Sequence, residues 1–244
     1  MKVQTFPITL VESFMLSPKV KHFIFAAEHN PPFQYKPGQF ITIHFEKDGN
    51  SLKRSYSVAN PPRGDNRIEF AAGYVENGPG TELLFNLNPG DQININGPFG
   101  RLILKEELPG RMILVATSTG VTPYRAMLPS LRHLLKNNTS LEVVILQGVQ
   151  RRDEVLYADE FQAFAKEFSN VTFCACLSRV EATELQEFER SGYVQHCFDD
   201  LAVNPGRDLV YLCGNPGMID DSFALLKEKG FETHQIIREK YLSR

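Results

Sequence analysis

The chain has 244 residues, enough for one large domain or two smaller ones, each able to bury its own core. Hydrophobic residues at 42% and charged residues at 23% are ordinary for a soluble globular protein, and a net charge of −3 gives no global attraction to nucleic acid or to an anionic membrane. No stretch is long and apolar enough to span a bilayer, and Met1-Lys2-Val3-Gln4-Thr5 lacks the apolar run of a signal peptide, so a cytoplasmic, reducing setting is expected.

Up to about Arg101 the apolar runs are short. Lys19 to Ala27, Gln39 to Phe45, Arg54 to Ala59, Arg67 to Ala72 and Asp91 to Asn96 read as strands. Turn signals separate them: Pro37-Gly38, Asp48-Gly49, Asn60-Pro61-Pro62 and Pro89-Gly90. Gly80-Thr81-Glu82-Leu83-Leu84 reads as a short helix with Thr81 at its N-cap. Short strands joined by tight turns predict a small antiparallel barrel or sandwich.

From Arg111 the rhythm changes. Met112 to Ala116, Leu141 to Leu146, Val171 to Leu177, Leu209 to Cys213 and Thr233 to Ile237 read as strands. Helical spacing runs over Pro123 to Lys136, Asp153 to Phe168 and Pro216 to Lys229. Strands alternating with helices predict a parallel sheet covered on both faces. Lys105-Glu106-Glu107 and Pro109-Gly110 interrupt the pattern, so two domains are expected, 1–105 and 106–244.

Five motifs are suited to chemistry. In Arg54-Ser55-Tyr56-Ser57 an arginine can grip a pyrophosphate bidentately, a tyrosine can lie against a flat ring, and a serine hydroxyl can hydrogen-bond a ring nitrogen. Alone, the same run fits an exposed strand with alternating polar residues. Gly78-Pro79-Gly80-Thr81 opens the short helix, where free amides attract anions; a plain surface turn fits equally well. Ser118-Thr119-Gly120-Val121-Thr122-Pro123 joins a strand to a helix at the place where an open α/β sheet takes a nucleotide. Cys213-Gly214-Asn215-Pro216-Gly217-Met218 repeats that placement with a thiol, which could stand near a reacting carbon or pack as a small hydrophobe. Ser178-Arg179 ends a third strand and could hold the 2′-phosphate that separates NADP from NAD. The ordered set points to a flavin reduced by a nicotinamide nucleotide.

The cysteines, Cys174, Cys176, Cys197 and Cys213, form no framework of the secreted kind and are too dispersed for an iron–sulfur centre. Cys174-Ala175-Cys176 puts two thiols on one strand face, which suits packing, and no metal site is expected.

Together with Lys36-Pro37-Gly38-Gln39-Phe40 and Gly97-Pro98-Phe99-Gly100, these motifs resemble the ferredoxin–NADP reductase superfamily over nearly the whole chain. The resemblance implies an N-terminal FAD-binding barrel and a C-terminal domain that binds NAD(P)H, with NADPH favoured. Carried over by motif, Arg54, Ser55, Tyr56, Ser57, Tyr74, Gly80 and Thr81 would hold FAD, with Ser57 at the flavin N5. Thr119, Gly120, Thr122, Ser178, Arg179, Cys213, Gly214, Pro216 and Met218 would hold the nicotinamide nucleotide, with Ser57 and Cys213 as catalytic residues. The nucleotide loop carries Ser118 in place of the family's usual first glycine, and Tyr193 stands where a second arginine is often found. Arg238-Glu239-Lys240-Tyr241 is similar to tails in which an aromatic residue covers the flavin. The expected activity is hydride transfer between NAD(P)H and FAD with single electrons passed to ferredoxin or flavodoxin, by a monomer. An NAD(P)H:flavin reductase releasing reduced flavin, and a nucleotide-binding subunit without turnover, are the alternatives.

Overall fold

A computed structural model describes residues 5–28 and 33–241. The chain divides into two compact units, residues 1–103 with 122–127, and residues 104–121 with 128–244.

The first unit carries β1 (Phe6–Ser17), β2 (Val20–Ala27), β3 (Phe40–Lys47), β4 (Asn50–Ser57), β5 (Arg67–Gly73), α1 (Pro79–Phe85) and β6 (Gln92–Phe99). Its strands form one antiparallel sheet in the order β4-β3-β6-β1-β2-β5. The sheet curls toward closure where β4 ends: Val58 bridges to Phe70 on β5, and the amide of Ala59 donates to the Glu69 carbonyl at 2.7 Å. One face of each strand fills the interior, as period-two alternation requires. Phe23, Phe25, Ile41, Ile43, Phe70 and Ile95 form its centre. Strand β1 was not among the expected elements. Register shifts between Leu10 and Glu12 and between Met15 and Ser17 break its alternation, leaving Val11, Phe14 and Met15 exposed.

The second unit holds β7 (Arg111–Thr117), most of α2 (Thr122–Asn137), β8 (Glu142–Val149), α3 (Ala158–Glu167), β9 (Val171–Leu177), β10 (Glu189–Ser191), α4 (Cys197–Asp200), β11 (Asp208–Gly214), α5 (Pro216–Glu228) and β12 (Ile236–Lys240). The sheet is parallel throughout, in the order β10-β9-β8-β7-β11-β12. Strands β7, β8 and β11 are nearly continuous apolar runs because helices cover both faces. The two-part fold is the one the sequence predicts.

Three local expectations are corrected. The helix expected from Asp153 begins only at Ala158, because Tyr157 adopts a left-handed φ of 54° and Arg152–Glu154 forms a separate tight turn. The strand expected over Thr233 to Ile237 starts at Ile236; Thr233–Gln235 is a turn closed by the Glu232 amide donating to the Gln235 side chain at 2.8 Å. Gly78, and not Thr81, is the N-cap of α1, since Pro79 fits the first helical position without needing its missing amide hydrogen. Among the described residues, no helix is long and apolar enough to cross a membrane.

Candidate functional site

In the first unit the Arg54 motif closes β4, where that strand leaves its pairing with β3. Tyr56 pairs across from Ile41 and Ser57 from Phe40. The Tyr56 ring stacks on Phe70 with centroids 5.0 Å apart, and Phe70 in turn stacks on Phe25 at 5.4 Å. This aromatic column fixes the ring's tilt from beneath. Burial pushes the Tyr56 hydroxyl up to about 12, with the Arg54 charge opposing, so the phenol is neutral near pH 7. Ser57 is buried, while the side chain of Arg54 is half-exposed with one of its nitrogens donating to the Lys53 carbonyl at 2.7 Å. Ser55 lies on the outer face and shares a hydrogen bond with Thr42 at 3.0 Å.

Helix α1 abuts this motif through Gly80. A Cβ at that position would stand 2.7 Å from Arg54 Cγ and 3.4 Å from the Tyr56 hydroxyl, so only a residue without a side chain lets the helix start approach both. Thr81 is buried, and its hydroxyl lies 3.0 Å from the Val75 carbonyl and 3.1 Å from the Gly78 carbonyl. It thereby holds the loop leading into the helix. Tyr74 is half-exposed and meets Phe85 edge-on at 5.4 Å. Arg54, Tyr56 and Gly80 are thus brought together, with a cation, a flat neutral ring and a helix start on one side of the unit.

Sequence reading passed over a charged cluster beneath the same strand end. Glu69 on β5 is buried, accepts from Arg125 at 2.8 Å and pairs with His22 at 3.4 Å. Arg125 also donates to the Ala59 carbonyl at 3.1 Å, two residues past Ser57. The signal was present as one carboxylate within the apolar run Ile68-Glu69-Phe70-Ala71-Ala72, since such a residue is buried only when paired.

In the second unit two strand-end loops meet backbone to backbone. After β7, residues Ser118–Val121 make a tight helical turn leading into α2, and Ser118 itself has a left-handed φ of 48°. A Cβ on Gly120 would fall 2.3 Å from the Cys213 carbonyl oxygen and 2.9 Å from the Gly214 Cα. Thr117, which sequence reading passed over, fastens the pair: its hydroxyl accepts from the Asn215 amide at 2.8 Å. Asn215 then caps α5, its side-chain oxygen accepting from the amides of Gly217 at 2.8 Å and Met218 at 3.2 Å, with Pro216 in the first turn. Thr119 lies within the turn, and Met218 is buried against the core.

Two features of this loop pair suit a phosphate-bearing ligand. No side chain caps the start of α2, where Val121 stands at the N-cap with a proline in the first turn, and the positive end of a helix favours a negative charge. The Thr122 hydroxyl is buried and has no hydrogen-bond partner among the described residues. A buried donor of that kind is costly unless something outside the chain satisfies it.

Cys213 is fully buried. Burial holds its thiol well above the usual range, reinforced by the Glu239 charge and opposed by a hydrogen bond from Tyr241. It is therefore a neutral thiol, not a nucleophile. The Tyr241 amide also donates to the Gly214 carbonyl at 2.8 Å, placing this aromatic residue beside the Cys213 loop. Ser178 and Arg179 follow β9 on the same carboxyl edge of the sheet, their amides bonded to the Val149 and Gln150 carbonyls at 3.0 and 2.9 Å. The Arg179 side chain is exposed.

Residues 7–103 match the oxidoreductase FAD-binding domain family, and residues 114–223 match the oxidoreductase NAD-binding domain family. The chain is 31% identical to ferredoxin–NADP reductase B of Sorangium cellulosum over 224 residues, 89% of each chain. It belongs to the ferredoxin–NADP reductase family. This reductase is also 28% identical to the reductase component of propane 2-monooxygenase from Rhodococcus jostii, over 86% of its own length and 56% of that protein's. In fold it is similar to a ferredoxin NADP+ reductase from Neisseria gonorrhoeae solved with FAD and NADP, with a TM-score of 0.85 at 21% identity, covering 99% of this chain and 100% of that one. It is an NAD(P)H-dependent flavoprotein reductase that uses FAD. The residues fit both groups: Gly80 packed on Arg54 and Tyr56 sets a helix start, a cation and a flat ring side by side, which suits FAD, and the Gly120 loop with the orphaned Thr122 hydroxyl suits the nicotinamide nucleotide.

Proposed function

We propose that this reductase takes hydride from NADPH onto FAD and delivers the electrons one at a time to ferredoxin or flavodoxin, acting as a monomer. The observation that carries this reading is the likeness to a protein named ferredoxin–NADP reductase across nearly nine-tenths of both chains. Bound FAD supplies the conversion of a two-electron donor into one-electron deliveries.

The chain's own residues do the positioning. Arg54 grips the FAD pyrophosphate, and the α1 start at Gly80 and Thr81 contributes amides to the same charge. Ser55 adds a hydroxyl at the cofactor's edge. Tyr56 lies flat against the flavin ring, carried by Phe70 beneath it. Ser57 would donate its hydroxyl proton as a hydrogen bond to the flavin N5. Tyr74 packs along the cofactor from the loop before α1, and Tyr241 covers the flavin.

Where β7 runs into α2, Thr119, Gly120 and Thr122 would hold the nucleotide pyrophosphate, with the Thr122 hydroxyl gaining the partner it lacks. Cys213 and Gly214 shape the nicotinamide subsite, and the neutral thiol excludes water without competing for hydride. Pro216 and Met218 set the position of α5 behind it. Ser178 and Arg179 hold the 2′-phosphate. Proximity is the main catalytic contribution asked of these residues.

Anaerobic mixing with NADPH tests the reading. Visible flavin absorbance should bleach, and adding oxidised flavodoxin or ferredoxin should restore it in single-electron steps. Bleaching without transfer to either carrier, accompanied by loss of flavin on gel filtration and turnover of added FMN or riboflavin, would establish the flavin reductase instead. Absence of bleaching would leave a nucleotide-binding subunit.

A further inference from the structure

Three thiols that the hydride chemistry leaves unused stand together in the second unit. Cys174 and Cys176 lie on one face of β9, and Cys197 opens α4. The sulfurs of Cys176 and Cys197 are 3.5 Å apart, and Cys176 also shares a hydrogen bond with Cys174. All are free; Cys176 and Cys197 are buried, while Cys174 is partly open to solvent. The contact spans 21 residues of sequence and joins a partly accessible sulfur to two shielded ones.

We propose that Cys174, Cys176 and Cys197 form a peroxide-reactive site in which Cys174 is attacked first and the stable product is a Cys176–Cys197 disulfide.

The electrostatics favour this order. Hydrogen bonds from Cys176 lower the Cys174 and Cys197 thiols; burial opposes this, as does the Cys197 charge at Cys174, and the charge of Arg190, carried opposite Cys176 on β10 and paired with Asp200, adds a smaller lowering. Cys176 is correspondingly raised, chiefly as the hydrogen-bond partner of the other two, and keeps its proton. A thiolate is the reactive form. Of the three, Cys174 is the one open to solvent.

The steps balance as follows. The Cys174 thiolate attacks one oxygen of hydrogen peroxide; the S–O bond forms, the O–O bond breaks, and the departing hydroxide takes up the thiol's proton as water. The Cys176 sulfur then displaces the sulfenic hydroxyl, which leaves with the Cys176 proton as a second water. A bridge between alternate residues of one strand is strained, because extended backbone holds their Cα atoms near the limit a disulfide tolerates. The Cys197 thiolate relieves it by attacking Cys176, and Cys174 leaves as thiolate and recovers a proton. In sum two thiols lose two electrons and two protons, and one peroxide becomes two waters. Bonding would draw the Cys176 and Cys197 sulfurs from 3.5 Å to about 2 Å.

The test uses the FAD-loaded full chain, treated with stoichiometric hydrogen peroxide, then alkylated and digested without reductant for mass spectrometry. A Cys176–Cys197 linked peptide that dithiothreitol reverses, with Cys174 and Cys213 alkylated, is expected. Cys174→Ser should form the same link roughly tenfold more slowly, because the accessible thiolate is gone. If that variant does not fold, mapping of the unmodified chain decides alone. Recovery of all four thiols, sulfinic acid on Cys174 with Cys176 and Cys197 still free, or Cys174-linked dimers would each overturn the proposal.

Discussion

The carbonyl oxygen of Cys213 stands 2.3 Å from where a Cβ on Gly120 would be, so the loops after β7 and β11 touch through their main chains. The atom in the way is backbone, which cannot swing aside as a side-chain tip can. Gly120→Ala is expected to separate the loops and cost about 1–3 kcal/mol of stability. It should also raise KM for NADPH at least as strongly as it lowers Tm. Thermal unfolding beside steady-state kinetics checks this, and unchanged values in both would show that the contact is not tight.

Arg179→Ala addresses cofactor choice. Losing a charge-assisted hydrogen bond to a phosphate costs about 1.5–3 kcal/mol, or roughly tenfold to a hundredfold in KM for NADPH. KM for NADH should stay within a factor of two or so, because that nucleotide lacks the 2′-phosphate. Equal effects on both would assign Arg179 another role.

Ser57→Ala removes the proposed hydrogen bond to N5. Flavin bleaching after anaerobic mixing with NADPH should slow about tenfold, matching one lost bond of roughly 1.5 kcal/mol. FAD content should be retained, since the proposed contacts of Arg54 and Tyr56 are left in place. Stopped-flow absorbance measures the rate, and an unaltered rate would remove Ser57 from the hydride step.

Glu69 gives a pH dependence with a defined sign. Burial alone would raise its carboxyl, but hydrogen bonds from His22 and Arg125 outweigh that and hold it at about 2, below the ordinary 4.5. A depressed carboxylate contributes stability that is fully present above the unfolded value and is lost as pH falls through the folded one. Tm should therefore fall between pH 4.5 and about 2, and this part of the fall should be absent in Glu69→Gln. At neutral pH that variant should be less stable by about 3 kcal/mol, since it leaves Arg125 without its buried counter-charge. Calorimetry across this range is the measurement, and parallel curves for the two proteins would contradict it.

How much of this was legible varied with what each element had to satisfy. Strands β7 and β9 and helix α5 were plain because unbroken apolar runs and a proline start carry their own signature. Strand β1 was not, because its register shifts put Val11, Phe14 and Met15 outward and erase the period-two pattern. The site motifs could be located by residue type, yet nothing in their spacing showed that Gly80 packs on Arg54 or that Thr117 ties two loops 98 residues apart. The Cys176–Cys197 contact was equally hidden, since it depends on where α4 falls after the short strand β10. Long-range neighbours of this kind follow from topology, which local pattern does not encode.

The tether from Tyr241 to the Cys213-Gly214 loop has a practical corollary for anyone handling this enzyme. Because the Tyr241 amide is bonded to Gly214 and its side chain to Cys213, a purification tag fused on the far side of Tyr241 would pull on the Cys213-Gly214 loop through that tether. An affinity handle belongs at the opposite terminus, and kinetic constants from tail-tagged preparations should be compared with those of cleaved protein.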